Sequence, residues 1–257
     1  MKINAAILTS MLSVCLLAGC IKEDRTACPC RLVLDFSDVD TSVVRSADLL
    51  MRSDEGFDYS DRIDVSGFES YMVTVPRSQL SVYAWAGAGH CLGTDMSVTI
   101  PYGEECPRVF LHVSQPDADC ELVEEKVVLR KNHCVLTVQV EEGEDYPFIL
   151  TVKGKVNGYG RDFKPSVGDF SCRAFPDSSG LCHVVLPRQL DSSLILEVDD
   201  GTESVKTFAI GESVIAGGYD WTAPELDDVT VMLDYSLTEV ALEIVEWNSE
   251  HIYDVII

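Results

Sequence analysis

Residues 80–113, LSVYAWAGAGHCLGTDMSVTIPYGEECPRVFLHV, contain three short apolar segments that are separated by turns. The segments are rich in Val, Tyr, Trp, Ile and Phe, and they span residues 80–86, 96–100 and 108–113. Glycine and proline interrupt the chain at Gly87-Ala88-Gly89 and at Pro101-Tyr102-Gly103. Short segments of β-branched and aromatic residues with such residues between them are typical of β-strands joined by tight connections.

The same pattern extends through most of the chain. Further strands are predicted at residues 31–36, 68–75, 126–130, 134–140, 148–152, 194–198, 205–210, 229–235 and 240–246. A hairpin is predicted from strands at residues 169–175 and 181–186, because the turn residues Pro-Asp-Ser-Ser-Gly lie between them. Convincing helical spacing occurs only at residues 41–51, where we expect a short helix or a loop.

So many short strands predict an all-β fold with Greek-key connections. The strands are too numerous for one seven-stranded sandwich, and two sandwiches of ordinary domain size fit the length better. The junction is expected near residues 124–131, where an acidic segment gives way to a new series of strands. The predicted domains are therefore residues 31–125 and residues 126–257.

Charge and composition exclude two classes of protein. The 257-residue chain has 43 acidic and 19 basic side chains and a formal net charge of −24 at pH 7. A field of this sign repels phosphate backbones, so nucleic acid is not an expected partner. Hydrophobic residues make up 46% of the chain, which is close to the average for folded proteins and excludes disorder as the main state.

The first 19 residues have the character of a signal peptide. Lys2 precedes an uncharged and mostly apolar segment that is shorter than the ~20 residues of a membrane-spanning helix. The segment ends in Leu17-Ala18-Gly19-Cys20, which has the form of a bacterial lipobox. Cys20 is therefore predicted to carry lipid and to begin the mature chain. The alternative is an ordinary signal peptide that contains a cysteine.

A short tether at residues 20–30 would join the lipid to the first strand. It contains Lys22-Glu23-Asp24 directly after the predicted lipid site, and this acidic segment resembles a surface-export signal of bacterial lipoproteins. The alternative is a solvated tether without a signal. Surface export would place the protein on the outer membrane, facing the cell exterior.

Cysteine usage agrees with an exported protein. The chain has ten cysteines, and those that follow Cys20 allow disulfides outside the cytosol. Cys172 and Cys182 flank the turn of the predicted hairpin, so a disulfide between them is one expectation. Buried thiols are the alternative. Cys91 and Cys106 flank a second candidate hairpin.

No catalytic or metal-binding pattern stands out. The sequence lacks GxSxG, GxxxxGK[ST], HExxH and GxGxxG, and its adjacent His/Cys pairs do not repeat the CxxC spacing of zinc sites. Adjacent residues of a strand point to opposite faces of the sheet, so such pairs chelate poorly. We therefore predict no enzyme activity, no cofactor and no metal. The tryptophans at 85, 221 and 247 are expected to be structural core.

Several segments carry a family resemblance. Tyr83-Ala84-Trp85-Ala86-Gly87, Gly218-Tyr219-Asp220-Trp221-Thr222 and Val245-Glu246-Trp247 are similar to segments of the FimB-type fimbrial anchor lipoproteins, which are minor subunits of type V fimbriae. The lipidated start with Cys28-Pro29 and the segment Val128–Cys134 (VLRKNHC) also match. The resemblance covers most of the mature chain, apart from residues 39–67.

The resemblance implies two tandem transthyretin-like sandwiches held in the outer membrane by lipid. It implies a protein that holds the base of a fimbria and limits its length, through strand addition with a fimbrial shaft subunit. A surface adhesin for a glycan or a host protein is the alternative, and a cell-envelope enzyme is a third class. The segment 251–257 is either a closing strand or a donated one, and Arg45 and Arg52 are candidate sites for an Arg-specific protease.

Overall fold

The computed structural model describes residues 28–69, 71–141, 149–199, 205–234, 239–246 and 249–251. The predicted all-β architecture is confirmed. The strands before residue 132 are β1 (Cys30–Asp35), β2 (Ser46–Ser53), β3 (Asp58–Asp64), β4 (Tyr71–Val75), β5 (Leu80–Ala86), β6 (Val98–Thr99), β7 (Phe110–Ser114), β8 (Leu122–Lys126) and β9 (Arg130–Lys131). Short 3-10 helices lie at Val65–Gly67 and Gly89–Cys91.

The second half of the chain has longer strands and one α-helix. The strands are β10 (His133–Glu141), β11 (Ile149–Tyr159), β12 (Pro165–Ala174), β13 (Leu181–Pro187), β14 (Ile195–Asp199), β15 (Val205–Phe208), β16 (Asp228–Asp234), β17 (Glu239–Glu246) and β18 (Ser249–His251). The helix α1 (Ile210–Ala216) follows β15. Within the described ranges, no helix has the length and hydropathy of a bilayer-spanning segment.

Two sheets form what we call the amino-terminal sheet pair. One has three strands in the order β4-β1-β8, and the other has five in the order β3-β2-β5-β7-β9. Leu32 and Leu34 of the first sheet share a buried apolar core with Leu49, Val82 and Ala84 of the second. The alternation of buried and exposed residues in β1 follows from the two-residue period of a strand.

The carboxy-terminal sheet pair consists of a five-stranded sheet in the order β13-β10-β16-β17-β18 and a second sheet in the order β12-β11-β14-β15. Strand β6 pairs with β11 of the second sheet, and β9 pairs with β7 of the amino-terminal sheet pair. Strand pairing therefore crosses residue 125 in both directions.

The expectation of a helix or loop at residues 41–51 is wrong, because most of the segment belongs to β2. Ala47, Leu49 and Met51 enter the amino-terminal core, whereas Leu50 enters the carboxy-terminal core on the other face. A strand that is buried on both faces loses the alternating pattern that identifies a half-buried strand. The spacing of the apolar residues in β2 therefore resembles that of a helix.

Other local predictions also need correction. The predicted hairpin at 169–186 is absent, because β12 pairs with β11 while β13 pairs with β10 in the opposite sheet. The strand predicted at 126–130 does not form as one strand, because Lys126 ends β8 and Arg130 begins β9. The strand predicted to reach residue 210 ends at Phe208, before α1. Strand β3 was not predicted, because its sequence DYSDRID is largely polar and exposed.

Aromatic residues join the two sheet pairs. The ring of Trp85 lies 5.3 Å from that of Tyr159 and 5.2 Å from that of Phe163, and the ring of Tyr83 stacks on Phe163 at 4.1 Å. The indole N–H of Trp85 donates to the carbonyl of Met96 over 3.3 Å. The five-stranded sheet of the amino-terminal pair is thus buried on both faces near Trp85.

The chain between the sheet pairs is also buried. Lys131, Asn132 and His133 are each less than 5% exposed. The ammonium of Lys131 donates to a carboxylate oxygen of Asp228 over 2.5 Å, and the hydroxyl of Tyr159 donates to the carbonyl of Asn132 over 2.5 Å. This segment is therefore packed into the structure and is not a flexible linker.

Stability is expected to fall in mild acid because of His133. The ring Nδ1 of His133 lies 2.9 Å from the carbonyl of Val109, and burial lowers the pKa of His133 from 6.5 to about 4. Within this net shift the hydrogen bond to Val109 and the charge of Asp228 raise the pKa, while the charges of Lys131 and Arg108 lower it. Between pH 6.5 and about pH 4, the histidine of the unfolded chain is protonated and that of the native protein is not. Stability is therefore lost as pH falls from 6.5 to about 4. The expected loss from pH 7 to pH 4 is roughly 3 kcal/mol.

Urea unfolding at pH 7, 5.5 and 4.5 checks this prediction. His133→Gln is expected to weaken the pH dependence without abolishing it, because burial also lowers the pKa of His112. The matched control is His183→Gln, whose side chain is 45% exposed in the parent protein. Equal pH dependence in the parent protein and His133→Gln would contradict the assignment.

Candidate functional site

Strand β1 occupies the centre of the three-stranded sheet. It pairs antiparallel with β4, from Cys30 opposite Val75 to Leu34 opposite Tyr71. On its other side it pairs parallel with β8, and Arg31 lies opposite Leu122. A strand in this position cannot leave without opening a groove between β4 and β8.

The inward side chains of β1 are completely buried. Leu32 and Leu34 are at most 1% exposed, and the ring of Phe36 stacks on that of Phe68 at 4.5 Å. Burial of one leucine contributes about 1.5–3 kcal/mol. The strand is therefore an integral part of the amino-terminal core.

Both outer strands of this sheet carry exposed apolar residues. Among the residues that the structure describes, β4 and β8 end the sheet. Met72 in β4 is 55% exposed and Leu122 in β8 is 45% exposed. An edge strand presents backbone N–H and C=O groups that can pair with another strand. The described residues therefore give this sheet two edges, β4 and β8, each with an exposed apolar side chain.

Polar side chains brace the β4 side of the amino-terminal sheet pair. The hydroxyl of Tyr71 donates to Asp61 over 2.8 Å and lies 2.9 Å from the hydroxyl of Tyr59. The hydrogen bond from Tyr71 lowers the pKa of Asp61. Because Asp61 and Tyr59 belong to β3, these contacts connect the edges of the two sheets.

A cleft of about 510 Å³ lies where the sheet pairs meet. Its walls combine apolar, basic and acidic side chains, among them Leu111, His112, Glu125, Arg130, Phe163 and Arg188. The guanidinium of Arg188 is held by the side chain of Asn132 and by the carbonyls of Trp221 and Ala223. Such a mixture of fixed charge and aromatic surface suits a polar ligand better than a purely apolar one.

His112 has a defined orientation in this cleft. Its Nδ1 accepts a hydrogen bond from the backbone N–H of Val128 over 3.1 Å, so Nε2 carries the proton in the neutral ring. Nε2 lies 3.0 Å from the hydroxyl of Ser114 and 3.6 Å from a carboxylate oxygen of Glu125. Burial lowers the pKa of His112, and the charge of Glu125 partly opposes this effect. Sequence reasoning did not identify these residues, because the cleft depends on segments that are distant in sequence.

The hairpin on which the predicted disulfide between Cys172 and Cys182 was based does not form, and the disulfide itself stays a prediction. Cys172 lies opposite Val152 in one sheet, and Cys182 lies opposite Val138 in the other sheet. The structure contains no disulfide among the cysteines that it describes. No group of three or more His, Cys, Asp or Glu side chains is arranged to hold a metal ion in the described part of the chain.

The remaining predicted sites fall in different places. The lipobox residues Leu17, Ala18, Gly19 and Cys20 and the export-signal residues Lys22, Glu23 and Asp24 lie outside the described residues, as do Trp247 and residues 252–257. The predicted core role of Trp85 and Trp221 is confirmed by their burial. Arg52 lies within β2, between strands β3 and β5, and its side chain pairs with Asp58 at 3.4 Å. Arg45 precedes β2 and is exposed.

Comparison with known proteins identifies relatives by fold alone. No protein-family model and no curated protein matches the sequence. A solved candidate polysaccharide-binding protein from Bacteroides thetaiotaomicron matches with a TM-score of 0.65 and 14% identity, over 83% of this chain and 95% of that chain. A candidate adhesin from Bacteroides ovatus matches with a TM-score of 0.60 and 12% identity, over 88% and 96% of the two chains.

A third solved structure is the fimbrial anchor protein Mfa2 from Porphyromonas gingivalis. It matches with a TM-score of 0.54 and 11% identity, over 88% of this chain and 100% of that chain. The resemblance to fimbrial anchor proteins that the sequence indicated is therefore confirmed at the level of the fold. Each match covers at least 95% of the other protein's chain, so this chain shares the fold of all three.

Proposed function

We propose that this chain is a non-enzymatic outer-membrane lipoprotein that anchors fimbriae at the cell surface and limits their length. In this proposal the two sheet pairs are tandem transthyretin-like domains. The observation that carries it is the shared fold with the fimbrial anchor protein Mfa2 over 88% of this chain. The predicted signal peptide and lipobox support the same role.

Attachment to the membrane would come from lipid on Cys20. The tether from Cys20 to β1 reaches at most ~36 Å when it is fully extended. The amino-terminal sheet pair would therefore lie close to the outer membrane. Lys22-Glu23-Asp24 supports a position that faces the cell exterior.

The grip on the fimbria would come from strand addition. A shaft subunit would donate a strand to an open edge of the three-stranded sheet, where main-chain hydrogen bonds and side-chain contacts hold it. The exposed Met72 and Leu122 support edges β4 and β8 as the receiving strands. Strand β1 stays in place in this scheme, because its lipidated end is fixed and its inward side chains are buried.

Co-purification with the shaft subunit tests the proposal. The tagged full chain, extracted from cells, is expected to carry the shaft subunit with it, and deletion is expected to release or lengthen the fimbriae. Met72→Lys places a charge on edge β4, and Leu122→Lys places one on edge β8. The variant whose edge receives the donated strand should carry less shaft subunit through the purification. Leu190→Lys is the control, because Leu190 is 57% exposed and lies outside the strands. Fimbriae of unchanged attachment and length after deletion would contradict the anchor role.

A second candidate function is that of a surface adhesin. The cleft between the sheet pairs favours it, as do the neighbours that are a candidate polysaccharide-binding protein and a candidate adhesin. A glycan array probed with the purified full chain separates the two functions. The adhesin is favoured if the parent protein binds a specific glycan, Arg130→Ala does not bind it, and no shaft subunit is co-purified.

A further inference from the structure

Two thiols meet where β1 joins β8. The backbone N–H of Arg31 donates to the carbonyl of Glu121 over 3.0 Å, which brings the preceding Cys30 beside residues 120–121. The thiol of Cys120 donates to the carbonyl of Leu122 over 3.1 Å. Because Arg31 is paired with Leu122, Cys30 lies across from Glu121 and diagonally next to Cys120. Burial raises the pKa of Cys30, and the neighbouring Cys120 raises it further.

We propose that Cys30 and Cys120 form a disulfide when the protein is exported. Cys120 lies one residue before the position across from Cys30. With adjacent strands about 4.8 Å apart and a rise of about 3.3 Å per residue, the expected Cα separation is about 6 Å, which is within the range of about 4.4–6.8 Å that a disulfide spans. The bond can therefore form without a change of strand pairing. The inference needs export to an oxidising compartment, but it does not depend on the anchoring of fimbriae.

The chemistry needs an oxidant from the compartment that the protein enters. That oxidant is a dithiol oxidoreductase in its disulfide form. The first thiol to react with it is that of Cys120, which is exposed. Cys120 as thiolate forms a mixed disulfide and releases one oxidoreductase thiol. Cys30 as thiolate then attacks the Cys120 sulfur and releases the second thiol. The two cysteines lose two electrons and two protons, and the oxidoreductase gains them as a dithiol.

The cross-link would fix β1 in the three-stranded sheet. Cys30 is the first residue of β1, and Cys120 lies two residues before the start of β8. A bond between them joins the strand covalently to its parallel neighbour, so β1 cannot vacate the groove between β4 and β8. The disulfide would thus add a covalent bond to the burial that already holds β1 in place.

Peptide mapping of the full chain, recovered from membranes after its thiols are blocked, tests the link. Trypsin releases residues 26–31, which contain Cys28 and Cys30, and residues 109–126, which contain Cys120. The expected product is a joined pair of these peptides, lighter by two hydrogens than their sum and separated by reductant. Cys28→Ser should keep the link, and Cys120→Ala should abolish it.

Two results would overturn the proposal. One is recovery of both peptides singly, each with blocked thiols. The other is loss of the link in Cys28→Ser, which would assign the bond to Cys28. Thermal unfolding gives a second measurement: reductant should lower the Tm of the parent and of Cys28→Ser by roughly 10 °C, but not that of Cys120→Ala. An unchanged Tm in the parent protein would contradict a cross-link that holds β1.

Discussion

Trp85→Ala is expected to lower the free energy of unfolding by roughly 3–5 kcal/mol. The indole is fully buried, and its ring contacts Tyr159 and Phe163 of the carboxy-terminal sheet pair. Removing it would leave a cavity between the two sheet pairs and would also leave the carbonyl of Met96 without the indole donor. Urea unfolding followed by circular dichroism measures the loss.

The location of Trp85 adds a second expectation. Because the side chain belongs to the core shared by the two sheet pairs, its loss should weaken their coupling as well as their stability. Unfolding of Trp85→Ala is therefore expected to separate into two transitions when two spectroscopic probes are compared.

An exposed aromatic residue provides the control for Trp85. Phe175 is 70% exposed, so Phe175→Ala should change stability by less than about 0.5 kcal/mol. Trp85→Phe keeps an aromatic ring and should recover part of the loss. A Trp85→Ala protein as stable as Phe175→Ala would show that this contact does not hold the sheet pairs together.

Cys20→Ser is expected to move the protein from the membrane fraction to the aqueous fraction almost completely. Each methylene buried in the bilayer contributes about 0.8 kcal/mol, and two or more acyl chains give stable attachment. Serine has no thiol to carry these chains. Fractionation of cells and metabolic labelling with palmitate measure the loss of attachment and of lipid.

Cys28→Ser is the matched control for Cys20→Ser. It removes a thiol a few residues further along the chain, outside the lipobox, and should leave the protein in the membrane fraction with its lipid. Retention of Cys20→Ser in the membrane fraction would contradict the lipid attachment. It would leave an ordinary signal peptide as the explanation of residues 1–19.

Strand composition was predictable because it depends on local chemistry. β-branched and aromatic residues between turns predicted β5, β7, β10 and β16 near their observed positions. Trp85 and Trp221 were predicted as core because large aromatic residues gain most from burial. The lipobox stays a prediction; it depends on local sequence alone, since a processing enzyme recognises a short contiguous segment.

Prediction failed where a residue's environment comes from distant parts of the chain. The β2 segment resembled a helix because its two faces enter different cores, and the turn after Phe175 did not reveal that β12 and β13 join opposite sheets. The sheet edges and the cleft around His112 were not predicted for the same reason, because segments distant in sequence form them.

Local propensity thus established an all-β chain with aromatic core positions, and export stays a prediction. Packing established which strands pair, that β1 lies between β4 and β8, and that Cys30 lies beside residues 120–121. The reason is that hydrogen bonds between strands join backbone groups far apart in sequence, and every residue offers the same N–H and C=O groups for them. Their partners are therefore selected by the burial of side chains in the complete fold.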